Sequence, residues 1–376
     1  MTPSQSQKIV VKIGSSSLTS MNGEVSRRKL EKIVNEIVQL KDEGHEVVVV
    51  SSGAVAAGYR KLGCFKRPES LPEKQAAASI GQGLLMESYS DLFISHGYVA
   101  SQILITRDDF SDKNRYGNVQ NTMNVLLERG IIPIINENDT LTVDNLKFGN
   151  NDILSAKVAG LIDADKLIIL SDIDGLFNSD PKKDTNAKLL KNVQEITSDI
   201  EAVAGDAGSA VGTGGMRSKL DAVKIAMASG IPVFLGKADS KNILYDAVNK
   251  KAKGTYFEQK KRKIILNKKK CWIAFHSEPE GELTISKRVK QDMVESKKNL
   301  DIKDIYNVKG PFLKEDVVRI VDPEGEELGL GVVSFSSDQL KVLKQQSMEK
   351  LQQYPDCTVV DRNDFVYFDI SVPANL

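Results

Sequence analysis

Six short, almost continuously apolar runs recur along the first part of the chain, at 8 to 13, 46 to 51, 98 to 105, 131 to 136, 166 to 171 and 231 to 236. Runs of this length without polar alternation are buried on both faces, which predicts strands of a parallel sheet covered by helices on either side. Between them lie amphipathic segments of helical length. One spans 26 to 43 and is closed by Gly44; another spans 152 to 162 and is opened by Asn151 or Asp152 as N-cap. The alternation is βαβ throughout.

Beyond residue 250 the pattern changes. Ten Lys or Arg stand against a single acid, Glu258, between Lys250 and Lys270. Short strands with turn residues follow at 271 to 276, 282 to 286, 317 to 321, 329 to 335 and 364 to 370. The division this predicts is an α/β domain over 1–260, a basic linker with a connecting strand over 261–278, a small β-rich domain over 279–357, and an extension over 358–376 that closes the β-rich domain.

The 376 residues, 41% of them hydrophobic, are enough for two domains with sizeable cores. Fifty-one basic residues balance fifty-one acidic ones, so no global field draws in nucleic acid or anionic lipid, and any such binding must come from a local patch. No stretch approaches the roughly 20 apolar residues that span a bilayer. The polar start Met1-Thr2-Pro3-Ser4-Gln5-Ser6-Gln7 has no signal-peptide core, which predicts a cytoplasmic protein without a membrane partner. Cys64, Cys271 and Cys357 are too scattered for a disulfide framework or a zinc site.

Four loops follow strand ends, and in an open parallel sheet such loops gather at one rim where ligands bind. In the first, Lys12 stands inside the apolar run Ile9-Val10-Val11-Lys12-Ile13 just before Gly14-Ser15-Ser16-Ser17. A buried ammonium needs a counter-charge, and a phosphate would supply one; snorkelling to solvent is the structural alternative. In the second, Ser51-Ser52-Gly53-Ala54 and the small residues up to Gly58 suit either close ligand approach or tight helix packing. The third combines Asn136-Glu137-Asn138-Asp139 with Phe148-Gly149-Asn150-Asn151-Asp152. These two clusters offer acceptors for an ammonium and donors for a carboxylate, as an amino-acid substrate requires, although Asx residues also form ordinary turns and caps. The fourth is Ser171-Asp172-Ile173-Asp174-Gly175, joined downstream by Gly212-Thr213-Gly214-Gly215-Met216-Arg217-Ser218-Lys219. Its glycines expose N–H groups to a polyphosphate, and Lys219 adds a second ammonium. It is neither a Walker A loop nor a good dinucleotide fingerprint.

Taken together, Lys-x-Gly-Ser-Ser at 12 to 16, Ser-Ser-Gly-Ala at 51 to 54, Asn-Glu-Asn-Asp at 136 to 139, Gly-Asn-Asn-Asp at 149 to 152 and Gly-Thr-Gly-Gly-Met at 212 to 216 closely resemble the amino acid kinase family, and within it the members that phosphorylate glutamate. The likeness runs from residue 8 to about 260. The tail from 279 to 357 resembles a PUA domain. The resemblance implies a three-layer α/β/α sandwich with a mainly parallel sheet, plus a small PUA-like domain. It implies transfer of the γ-phosphoryl group of ATP to the γ-carboxylate of L-glutamate, the first step towards proline.

Carried onto this chain, Lys12 and Lys219 would hold phosphates and Asp152 would orient both lysines. Ser52, Asp139 and Asn151 would bind glutamate. Ser171, Asp172 and the segment Thr213, Gly214, Gly215, Met216, Arg217, Ser218 and Lys219 would bind ATP. Mg²⁺ would be held mainly by ATP oxygens and not by a protein cage. Ser171 stands where the family often has threonine, and Asp174 is not carried over because relatives vary there. A homo-oligomer, dimer or tetramer, and feedback inhibition by proline are implied as well. PUA domains in other proteins bind RNA, but here the usual glycine-containing helix gives way to Ser286-Lys287-Arg288-Val289-Lys290-Gln291-Asp292-Met293, which weakens that expectation. A carboxylate nucleophile with a pKa of about 4.3 is already ionised at neutral pH, so no general base is needed. His45, His96 and His276 are accordingly expected to be structural. The alternatives are a relative acting on aspartate, N-acetylglutamate or a nucleoside monophosphate, and an RNA-binding protein that kept the fold and lost the activity.

Overall fold

In the computed structural model, residues 6–20, 24–141, 151–181, 183–205, 215–259, 266–295, 298–345 and 357–368 are described. The chain divides into two compact units, Met1–Lys263 and Ile264–Leu376.

In the first unit eight strands form one sheet: β1 (Lys8–Ile13), β2 (Glu46–Val50), β3 (Ala100–Ile105), β4 (Ile132–Glu137), β5 (Lys166–Ser171), β6 (Asn192–Val193), β7 (Val233–Lys237) and β8 (Thr255–Phe257). Their order is β3-β4-β2-β1-β5-β7-β8-β6. All pairings from β3 across to β7 are parallel, whereas β8 runs antiparallel to β7. β1 and its two neighbours are apolar at nearly every position because helices cover both faces. Ile9, Val11 and Ile13 of β1 join a core with Leu30, Ile33, Ile37 and Leu40 of the helix Arg27–Asp42 and with Tyr89 and Phe93 of the helix Leu71–Ser95. Side chains alternate along a strand, so Val10 and Lys12 belong to the opposite face, which the helix Asn151–Leu161 covers. The sheet is the middle of three layers.

The second unit holds β9 (Gly281–Ile285), β10 (Leu300–Asp301), β11 (Ile305–Lys309), β12 (Val317–Val321), β13 (Glu327–Val332), β14 (Thr358–Val360) and β15 (Phe365–Tyr367). Five of them form a sheet in the order β11-β9-β12-β13-β15, and β10 pairs with β14. Leu283, Phe312, Val318, Ile320 and Leu340 lie in its core.

Three local expectations are corrected. The segment 271 to 276, expected as a connecting strand, lies in a helix, Lys268–Phe275, begun where Asn267 accepts a hydrogen bond from the Lys270 N–H at 2.9 Å. Its apolar run Cys271-Trp272-Ile273-Ala274-Phe275 is equally compatible with a strand, and the cap decides. The charged stretch after Ser286 is itself a helix, Lys287–Glu295. Asn151 and Asp152 are the first two residues of their helix and not its cap; residue 150 lies outside the described residues. Among the described residues, no helix is long and apolar enough to cross a membrane.

Candidate active site

Because β4, β2, β1, β5 and β7 are parallel neighbours, their carboxyl ends form one continuous rim, with β1 in the middle. The chain turns from β1 to β2 on one side and reaches β5 on the other. Such a reversal of strand order opens a crevice for ligands.

Lys12 stands near the end of β1 and is 6% exposed, so it does not snorkel. Its Nζ lies 2.5 Å from Asp152 Oδ1. The other oxygen of the same carboxylate, Oδ2, accepts from Lys219 Nζ at 3.2 Å and from Ser218 Oγ at 3.5 Å. Asp152 reaches this place from the second position of the helix Asn151–Leu161, and Lys219 from the first turn of the helix Met216–Ala228. Two ammonium groups from distant parts of the chain, Lys219 lying 67 positions after Asp152, thus share one carboxylate. Asp152 is 1% exposed. Burial alone would push its carboxyl pKa up, but the two ammoniums outweigh that and hold it below the usual carboxylate range. Burial likewise lowers Lys12, opposed first by the Asp152 charge and more weakly by Asp172, while the Lys219 charge adds to the lowering. Among the described residues, two ammoniums share the carboxylate of Asp152, with Asp172 acting on Lys12 from the rim, and a cluster of this kind suits an anionic ligand.

The backbone beside Lys12 is tightly held. The Gly14 N–H donates to Leu170 O of β5 at 3.2 Å, which joins the first and fourth loops. A Cβ at Gly14 would stand 3.8 Å from Lys12 Nζ, so the lysine head folds back over the glycine. On β5, Ser171 is buried and its Oγ donates to Asp172 Oδ1 at 3.0 Å, while Asp172 itself is exposed at the rim. Asp174 turns away to pair with Lys253 at 2.5 Å. Gly215 precedes the helix Met216–Ala228 and accepts from Ser218 Oγ at 3.0 Å. Arg217 is exposed and lies 3.8 Å from Asp221. Thr213 and Gly214 lie outside the described residues, as do Phe148, Gly149 and Asn150.

On the other side of β1, Asn151 Nδ2 is surrounded by Ser51 O at 2.5 Å, Asn136 Oδ1 at 2.8 Å and Ser52 Oγ at 3.1 Å. Asp139 lies half-buried in the turn after β4. Gly53, with φ of +98°, makes the turn that lets the chain leave Ser52 for the helix Ala54–Gly58. Gly58 serves packing: a Cβ there would meet Ala77 O at 1.9 Å. Two residues that the sequence does not single out also enter the network. Gln82 accepts from Asn136 Nδ2 at 2.9 Å, and Tyr89 OH lies 3.1 Å from Ser51 Oγ. They are seven residues apart on one face of the helix Leu71–Ser95. The polar Gln82 between Gly81 and Gly83 is the only local hint.

The histidines stand elsewhere. His45 is buried at the opposite end of β2, where its Nδ1 accepts from the Gln7 N–H at 3.2 Å. His276 is buried in the second unit and His96 is exposed.

The amino acid kinase family model matches residues 7–237, and a PUA domain model matches residues 281–355. The chain belongs to the amino acid kinase family. It is 62% identical over 98% of its length to glutamate 5-kinase 2 of Bacillus licheniformis, of which it covers 99%, and 60% identical over its whole length to glutamate 5-kinase 2 of Bacillus subtilis, covered in full. Among solved structures, carbamate kinase from Giardia lamblia bound to AMP-PNP is similar over 68% of this chain and 99% of that one, with a TM-score of 0.51 at 17% identity. That likeness shows the shared fold.

Asp152 has both oxygens engaged by ammoniums, and among the described residues no three His, Cys, Asp or Glu gather where they could hold a metal.

Proposed function

We propose that this member of the amino acid kinase family phosphorylates the γ-carboxylate of L-glutamate with ATP, giving L-glutamyl 5-phosphate and ADP, the first step towards proline. The observation that carries this reading is the Lys12–Asp152–Lys219 cluster on the strand that separates two chemically distinct halves of one rim. The Asn- and Ser-rich side at β4 and β2 is assigned to glutamate, through Ser52, Asp139 and Asn151. The β5 side is assigned to ATP, through Ser171, Asp172 and the stretch Thr213 to Lys219. The identity to glutamate 5-kinases along the full chain supports the same assignment.

In this mechanism an ionised γ-carboxylate oxygen attacks the γ-phosphorus, the bond to the β–γ bridging oxygen breaks, and ADP departs. No proton has to be removed from the nucleophile, so a site without a histidine is sufficient. Charge spread over the transferred phosphoryl oxygens is met by Lys12 and Lys219, held in place before the reaction by Asp152. Lys12, on the strand between the two halves, is assigned contact with the group in transfer. Magnesium arriving on the nucleotide oxygens would neutralise part of the triphosphate charge.

Residues 1–260 are taken as the catalytic domain and 279–357 as the PUA-like domain of a cytoplasmic homo-oligomer subject to inhibition by proline. RNA binding by the PUA-like domain is the lesser reading; salt-sensitive retention of RNA by the purified protein tests it. Hydroxamate formation with ATP and a panel of L-glutamate, L-aspartate and N-acetyl-L-glutamate tests the reaction. Glutamate is expected to be preferred, and turnover confined to another acid would overturn the assignment.

A further inference from the structure

The hydrogen bonds around Asn151 fix which end of its amide faces which neighbour. A side-chain amide offers a donor and an acceptor that exchange places by a half-turn. Two backbone groups remove that freedom here. Ser51 O, 2.5 Å from Asn151 Nδ2, accepts only. The Glu137 N–H donates only, and its acceptor is Asn136 Oδ1 at 3.0 Å. Asn136 Oδ1 also accepts from Asn151 Nδ2, so Asn136 Nδ2 needs an acceptor of its own, and finds it in Gln82 Oε1 at 2.9 Å. Asn136 and Gln82 are both buried, where an N–H without an acceptor is costly. Gln82 therefore terminates the relay. Among the described residues, Asn151 Oδ1 has no hydrogen-bond partner; it is the acceptor that the relay leaves over.

We propose that Gln82 is a positioning residue of the amino-acid pocket: by accepting from Asn136 it locks the Asn136–Asn151 pair in the orientation that offers substrate an acceptor, selecting an acid that carries an ammonium group. The proposal rests on the glutamate reading of this side of the rim. Asp139, in the turn after β4, adds a carboxylate of the same preference. Helix geometry is part of the device. The helix that carries Gln82 is clamped at Gly81, where a Cβ would meet Ala54 O at 1.8 Å, so Gln82 is held at fixed depth against the loop of Ser51 and Ser52.

The test uses full-length enzyme with L-glutamate and its des-amino analogue glutarate. Gln82→Met keeps length and removes the acceptor; Gln82→Glu keeps an acceptor oxygen. For Gln82→Met the KM for L-glutamate is expected to rise about tenfold with the KM for ATP unchanged, and the glutamate-over-glutarate ratio of kcat/KM to fall by a similar factor. Gln82→Glu should restore both to within about threefold of wild type. Wild-type KM and selectivity in Gln82→Met would overturn the proposal, and so would equal increases in both KM values in the two variants. If Gln82→Met does not melt cooperatively, Gln82→Asn, which withdraws the acceptor by one methylene, gives the same readout. Wild-type protein stabilised to heat by glutamate but forming no hydroxamate would sink the reaction alone, leaving the relay to be read from melting shifts with glutamate and glutarate. Turnover whose selectivity is indifferent to Gln82 would sink the relay alone.

Discussion

Two buried lysines on adjacent strands, at opposite ends of the same sheet, are completed in different ways. Lys166 opens β5, is 7% exposed, and donates to Val248 O at 2.8 Å and Ala247 O at 3.4 Å. Those carbonyls close the helix Ile243–Val248, whose partial negative end suits a cation. Lys12, equally buried near the end of β1, shares its carboxylate with Lys219. The first lysine is met by backbone carbonyls inside the fold, whereas the second shares one carboxylate with another ammonium at the ligand rim. Burial lowers the pKa of both, so a shifted pKa does not tell structure from function; the partners do, backbone carbonyls for one lysine and a carboxylate shared with a second ammonium at the strand-end rim for the other.

Removing a cation from the end where a carboxylate is shared should have the largest effect. Lys219→Ala is expected to lower kcat by about a thousandfold or more while the melting temperature stays near wild type, because Lys12 still pairs with Asp152. Near-normal turnover would erase the distinction between the two lysines. Asp152→Asn should come next. It removes the carboxylate that the two ammoniums share and is expected to cost about 3–5 kcal/mol in denaturant unfolding, together with a fall in kcat of about a hundredfold. Its pH dependence carries a sign. Because the native carboxyl pKa lies below its unfolded value, the stabilisation by Asp152 is complete above the ordinary carboxylate pKa and fades as pH falls through the lowered native value. The acid limb of stability against pH should therefore flatten in Asp152→Asn, and an unchanged limb would mean that the pairing does not bear on folding.

At the other end, Lys166→Met should leave kcat within about twofold and cost about 1–2 kcal/mol, since two helix-terminal carbonyls lose a donor. A large loss of turnover there would show that the amino rim is coupled to the chemistry. The smallest effect is expected for Lys253→Ala. Its pairing with Asp174 is solvent-exposed, so unfolding should change by less than about 0.5 kcal/mol, as equilibrium denaturation would record.

The strands and the lysines were legible because each has a local signal. β1, β2, β4 and β5 are nearly continuous apolar runs, and an ammonium inside one of them just before a glycine stands out. The carboxyl rim follows from parallel pairing, so the motifs after β1, β2, β4 and β5 fall together without further information. What the sequence does not reveal is long-range pairing through neutral residues. Gln82 and Asn136 are 54 positions apart, and neither carries a charge or a motif that names the other. Gly58 carried two readings, ligand approach and helix packing, and the separation of the helices settles it as packing. The helix Lys268–Phe275 is not legible from its apolar pattern because five apolar residues in a row have no period; the preceding Asn267 is the available clue.

The glycine contact between the helices Ala54–Gly58 and Leu71–Ser95 has a mechanical consequence. With a Cβ at Gly58 falling 1.9 Å from Ala77 O, and one at Gly81 falling 1.8 Å from Ala54 O, there is no slack for a single methyl group. An alanine at either place would act as a wedge whose thrust is delivered to Ser52 on one arm and to Gln82 on the other, the two arms that meet at Asn151.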